Sequence, residues 1–212
     1  FQIHHQTDHE RTVWIDQAII WFSALRKTIP IYWRWCETKY HARSGDDGTQ
    51  LADGIAFSVN GHNLILMESS GGNLTEHKRH SHGDTYKLVE NSVLALSQIM
   101  AAHKDASWST MKDMQVLSVQ TIKDRMTLIT TRIIEDPSAG LSWEIVELRN
   151  AELPPTWTQV KKLMRVVEVV ATAFQRVVAQ LAILDRAQDE LCGVSEKIKP
   201  TVREKLTAML LE

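Results

Sequence analysis

Cysteine is nearly missing from this chain. Only Cys36 and Cys192 occur in 212 residues, far apart and in no metal-ligand spacing. That usage excludes a disulfide-stapled scaffold and a cysteine-based zinc site, and it favours a reduced, intracellular setting, the nucleus included. No signal peptide is legible and no apolar run approaches the length of a membrane span, so no membrane partner is expected. An excess of positive charge is missing too. The net charge is −2, so any contact with nucleic acid would fall to local basic segments. Absent as well are a P-loop, a glycine-rich dinucleotide turn and a G-x-S-x-G elbow, which removes the commonest nucleotide-binding and serine-hydrolase signatures. There are no repeats and no low-complexity tract.

What remains is an ordinary globular composition, 43% hydrophobic and 24% charged, in a length suited to one well-buried domain. The chain opens at Phe1 rather than Met and is read as a domain cut from a longer protein. Helical periodicity covers 11–27, through Ile15, Ala18, Ile19, Phe22 and Leu25, with Thr7 and Glu10 spaced as a capping box and Pro30 marking the end. Residues 31–40 are rich in Trp and Tyr and fit a strand or an irregular packed segment. Two polar loops are expected at 44–50 and 71–83, and a helix at 86–103. Strand-like runs follow at 114–122, 126–134 and 142–148. A long helix is expected from Thr156 to about Asp189, with Gln159 completing a second capping box. Its apolar face is read through Val160, Leu163, Val167, Val170, Phe174, Val177, Leu181 and Leu184, and Gly193 ends it. Val166, Val169 and Val178 lie beside that face, so the helix has apolar residues for burial on two sides, one of them against a second subunit or a protein partner. A short helix closes the chain. The order predicts an α/β fold of α+β character, a central mixed sheet flanked by helices with a long C-terminal helix. The domain is placed at 1–192, with a helical extension at 193–212.

The densest signal lies in Leu51 to Gly72, LADGIAFSVNGHNLILMESSGG. Ile55, Phe57 and Val59 alternate with small or polar residues, Asn60-Gly61 supplies a turn, and Leu64 to Met67 is continuously apolar. This is a hairpin pattern. Pairing symmetric about Asn60-Gly61 would set Asp53 opposite Glu68, and directly opposed residues of an antiparallel pair point to one face. Two carboxylates converging there suit a hard divalent cation.

An N-terminal helix, a hairpin bearing Asp and Glu, then a helix and a returning strand resembles the core order of the PD-(D/E)XK, or restriction-endonuclease-like, nucleases. The chain is similar to fungal members of that superfamily, some in Crinkler-type effectors and others uncharacterised or associated with mobile elements. The residues that carry the likeness are Glu10 in DHERTVW, Ala52-Asp53-Gly54, Glu68-Ser69-Ser70-Gly71 and the run LPPTWTQVKKLM from Leu153. The resemblance implies a restriction-endonuclease-like core and a metal-dependent hydrolysis of DNA phosphodiesters, with RNA as a further substrate class. It also implies Mg²⁺ or Mn²⁺ held by Asp53 and Glu68, helped by the Ser69 carbonyl, with Glu10 a further ligand. Ser70 stands where the family carries a catalytic lysine. Lys87, on the next helix, is the candidate migrated lysine, and Glu90 a secondary candidate.

Each residue has a plainer reading. Glu10 can serve only its helix cap, Asp53 can shape a turn, and Lys87 can be a solvated charge. Glu68 is harder to set aside, since an acid ending the run LILM is costly if buried without a partner. His77, His80 and His82, with Lys78 and Arg79, read as a solvated loop and secondarily as a phosphate contact, with Lys87, Lys161 and Lys162 as further contacts. The tryptophans read as core or interface anchors. The alternative to an enzyme is therefore a catalytically inactive nuclease fold kept for binding nucleic acid or protein, the latter through the 156–189 helix. An unrelated α/β interaction domain is the third reading.

Overall fold

The computed structural model describes residues 14–40, 50–70, 78–136, 140–154, 156 and 158–209. The first helical segment, α1, is built of a π-helical Ile15–Ile19, an α-helical Ile20–Ser23 and a 3-10 Ala24–Lys27. Six strands follow in one sheet: β1 Ile31–Tyr40, β2 Gln50–Ser58, β3 Asn63–Ser70, β4 Gln115–Ile122, β5 Arg125–Asp136 and β6 Gly140–Glu152. Between β3 and β4 run α2, Lys78–Ala102, and the short α3, Trp108–Met111. The long α4, Val160–Cys192, and α5, Val202–Met209, come last. Spatial strand order equals sequence order, and every pair is antiparallel except β3–β4. The parallel pair exists because α2 carries the chain back along the sheet, as a parallel connection requires. The fold is thus mixed α/β, a six-stranded mixed sheet flanked by helices with a long C-terminal helix.

Side-chain alternation assigns the helices to faces. Lys87 of α2 reaches Glu68 of β3, and Ser92 of α2 hydrogen-bonds Thr131 of β5, so α2 covers the face that carries Glu68. Phe22 of α1 packs edge-on to Trp33, which stacks on Trp35, with ring centroids 4.4 Å apart. Trp35 in turn lies over Gly54, where an added Cβ would meet its ring at 2.9 Å. Gly54 is the neighbour of Asp53 and points the other way, so α1 sits on the opposite face, and α4, which touches α1, β5 and β6, lies there with it. Both faces of the sheet centre are covered. That is why Leu64 to Met67 can be apolar without alternation, each side chain at most 1% exposed and contributing about 1.5–3 kcal/mol by burial. Residues 198–203 hydrogen-bond to 104–108, which ties the C-terminal segment to the same body.

Several expectations from sequence are corrected. The loop expected at 71–83 is helical from Lys78, with Gly83 inside α2; Lys78 to His82 are therefore helical rather than looped, and His77 lies outside the described residues. The capping box of Thr156 and Gln159 is not made. Thr156 Oγ1 bonds Thr158 Oγ1 at 2.8 Å, and α4 begins at Val160 with no side-chain cap. A real box closes at α5 instead, where Thr201 N–H donates to Glu204 and Glu204 N–H donates to Thr201 Oγ1. The buried stripe of α4 is Val166, Val169, Ala173, Val177, Gln180, Leu184, Ala187 and Glu190, rotated from the expected one. Over that length α4 is also long and apolar enough, by length and composition, to cross a membrane. The sequence expectation missed this because charged residues interrupt the run.

Candidate metal centre and its lysine

The β2–β3 ladder pairs Gly54 with Met67, Ile55 with Leu66 and Ala56 with Ile65. One step further along that ladder faces Asp53 with Glu68, the register needed to place both carboxylates on one side of the sheet. Toward the turn the pairing shifts, with Phe57 opposite Asn63. The loop is therefore longer than a two-residue turn. Gly61 takes a φ of 81° there, a conformation that costs glycine little, and its N–H donates to Ser58 O.

Asp53 is half-buried, and its Oδ2 accepts the Ser69 N–H at 2.8 Å. Glu68 is buried, at 3% exposure. Lys87 Nζ stands 2.8 Å from Glu68 Oε1, an ion pair that joins α2 to β3. Burial pushes the Glu68 carboxyl up to about 7. The Lys87 ammonium opposes that rise, while the negative charges of Asp53 and Asp84 reinforce it.

Ser70, in the lysine position of the resemblance, is buried and donates its hydroxyl to Asp84 Oδ2 at 2.6 Å. On β4, Gln120 pairs with Glu68 across the parallel ladder, and its Nε2 donates to Thr85 Oγ1 at 2.6 Å. Asp84, Thr85 and Lys87 thus present a short polar edge of α2 to the ends of β3 and β4. Sequence reading found Asp53, Glu68, Ser70 and Lys87, which the fold brings together. It missed Asp84 and Gln120. The signal for Asp84 was its position three residues before Lys87, one turn away on the same helix side.

The other expected participants lie elsewhere. Glu10 is outside the described residues, as are the side chains of Lys78 and Arg79. Glu90 is exposed and hydrogen-bonds Tyr86, whose hydroxyl it pushes up. Lys161 and Lys162 start α4 on the far face, and Lys162 pairs with Glu152. They do not join the polar edge.

The donor set is compatible with a small hard cation. Two carboxylates face each other across a hairpin, and a buried oxygen of one meets the Lys87 ammonium. Among the described residues no group of three or more His, Cys, Asp or Glu converges as a metal cluster, so an ion here would take two carboxylates and complete its shell with water, as Mg²⁺ commonly does. Comparison of the chain with family models, with curated proteins and with solved structures finds no match.

Proposed function

We propose that this protein is a restriction-endonuclease-like, metal-dependent phosphodiesterase acting on DNA, with Asp53 and Glu68 as the ligands of Mg²⁺ or Mn²⁺. The observation that carries the reading is the Lys87 ammonium aimed at buried Glu68 from a separate helix. The order α1, β1, β2, β3, α2, β4, with the acids on β2 and β3, supports the same core. A bound divalent ion would supply charge neutralisation at the phosphate and an activated water. The chain's own part is positional and electrostatic. Asp53 is held by the Ser69 N–H. Lys87 offers positive charge to the phosphate oxygens as negative charge develops on them. Ser70, committed to Asp84, has no charge to offer and serves to fix α2 against β3.

A second reading is favoured by the closure of the site upon itself: Glu68 with Lys87, Ser70 with Asp84, Asp53 with Ser69. In an inactive nuclease fold these pairs would be structural, and the surface would serve binding.

One experiment separates the two. Plasmid and linear DNA, and RNA, are incubated with the purified chain and Mg²⁺ or Mn²⁺. Cleavage is expected, abolished by Asp53→Ala and by Glu68→Ala and lowered about a hundredfold by Lys87→Ala, the scale of losing one electrostatic donor. Ser70→Ala should cost far less. Cleavage that survives both carboxylate substitutions removes the site assignment. Cleavage gained only in Ser70→Lys identifies the inactive copy.

A further inference from the structure

Helix α4 carries two apolar stripes, and the second is largely exposed, with only Phe174 half-buried against the core. The buried stripe, Val166 to Ala187, packs against the sheet. More than a third of a turn around the helix, at about 100° per residue, run Val160, Met164, Val167, Ala171, Phe174 and Val178. Their spacing alternates four and three, the seam pattern of paired helices. Val160 is 62% exposed, Met164 55%, and Val167 and Val178 42% each. This stripe spans about 27 Å of helix at 1.5 Å per residue.

The charges of α4 say what fits it. Lys161 and Lys162 stand in the first turn and no acid accompanies them; Asp185 and Asp189 stand in the last turns, with no basic residue in the final one. That polarity opposes the helix dipole at both ends, where acids belong at the start and bases at the finish. Among the described residues Lys161, Asp185 and Asp189 form no ion pair, and Arg186, the base nearest the end, leans to Glu190 at 3.7 Å.

We infer that the partner of this stripe is a second copy of the same helix, running antiparallel. An antiparallel pair centred between Ala171 and Phe174 brings Lys161 and the positive helix start of one copy beside Asp185 of the other, twice over by symmetry. Along most of the seam apolar residues then meet: Val167 lies near Val178, and Met164 near the half-buried Leu181 that continues the spacing, while Val160 falls beside Asp185. The contact is a single helix pair, at the low end of stable interfaces, so the dimer is reversible. It lies on the other side of the sheet from Asp53 and Glu68 and does not touch them.

Sedimentation velocity of the full chain, from low to high micromolar, tests this. A monomer–dimer equilibrium is expected, weakened at least about tenfold by Val167→Glu or Val178→Glu, with far-UV circular dichroism confirming the fold. Lys161→Glu and Asp185→Lys, both at exposed positions and so safe for folding, should each weaken it. An equimolar mixture of the two should restore wild-type affinity, because the swapped charges match again between unlike chains; a parallel pair would instead show no loss in either variant alone. A wild type that stays monomeric, a dimer indifferent to Val167→Glu, or a mixture that fails to recover would each overturn the inference. So would a monomer that floats with anionic phospholipid vesicles through Val167, since lipid would then be the occupant.

Discussion

Two buried glutamates in this protein are satisfied in opposite ways. Glu190, 1% exposed, ends the buried stripe of α4, where its carboxylate accepts the Ser107 N–H at 2.7 Å and the Thr110 hydroxyl at 2.5 Å. Burial alone would raise its carboxyl, but those hydrogen bonds and Arg186 outweigh burial and lower it. Glu68, 3% exposed, has the Lys87 ammonium on Oε1, and burial outweighs that ammonium and raises it. Hydrogen-bond donors hold Glu190 ionised, whereas a single ammonium does not offset the burial of Glu68.

The comparison breaks if the two respond alike to substitution. Glu190→Ala leaves the Ser107 N–H and the Thr110 hydroxyl unpaired in the core and should cost about 3–5 kcal/mol, from two charge-assisted hydrogen bonds. Glu68→Gln, which removes a buried charge while keeping the shape, should change stability by less than about 1 kcal/mol at pH 8, or raise it. Urea midpoints at constant slope measure both. Equal losses would make Glu68 as structural as Glu190.

Titration sharpens the contrast with a smaller effect. The folded-state carboxyl of Glu68 is raised to about 7, so the folded protein holds a proton that the unfolded chain releases at the ordinary carboxylate value. Stability from this group is therefore fully present at acid pH and falls as pH rises toward 7, by at most about 3 kcal/mol at 1.36 kcal/mol per unit. Glu190, lowered when folded, contributes with the reverse sign: its share is present above the ordinary carboxylate range and is lost as the medium turns acid. Melting temperatures between pH 5 and 8, run beside Glu68→Gln, should show a decline in the wild type that the variant lacks. A wild type and variant with parallel profiles would remove the raised carboxyl from the account.

Much of the site was legible because a hairpin is a local object. Asn60-Gly61, the alternation before it and the apolar run after it mark the two strands, and the irregularity between Ala56 and Phe57 brings their pairing to the register in which Asp53 faces Glu68. Lys87 was reachable only through the resemblance, which implies a migrated lysine on the helix after β3. Asp84 could have been found from Lys87, one helical turn on, but Gln120 could not, since it owes its place to the pairing of β4 with β3. The stripe of α4 was rotated for a different reason. Periodicity finds an apolar face but cannot choose between two, and the buried one contains Gln180 and Glu190, which reading by hydrophobicity discards. Their role is to accept backbone N–H groups, Gln180 from Gln115 at 2.7 Å and Glu190 from Ser107. The N-terminus of α2 was misplaced because Gly83 reads as punctuation, whereas here it is simply an exposed helical residue with open space around it.

The single parallel pairing in the sheet sets an order of events during folding. Closing the β2–β3 hairpin needs only the short loop around Gly61, whereas β4 can join β3 only after the whole α2 crossover has been ordered, a loop closure of much greater entropic cost. Asp53 and Glu68 are thus brought face to face by a local, rapid step, and the helix carrying Lys87 docks on them afterwards. Lys87→Ala should accordingly leave the refolding rate unchanged and alter the unfolding rate, as stopped-flow chevrons would show; a change confined to the refolding arm would reverse the order. Until α2 docks, the hairpin carries two facing acids with no counter-charge from Lys87.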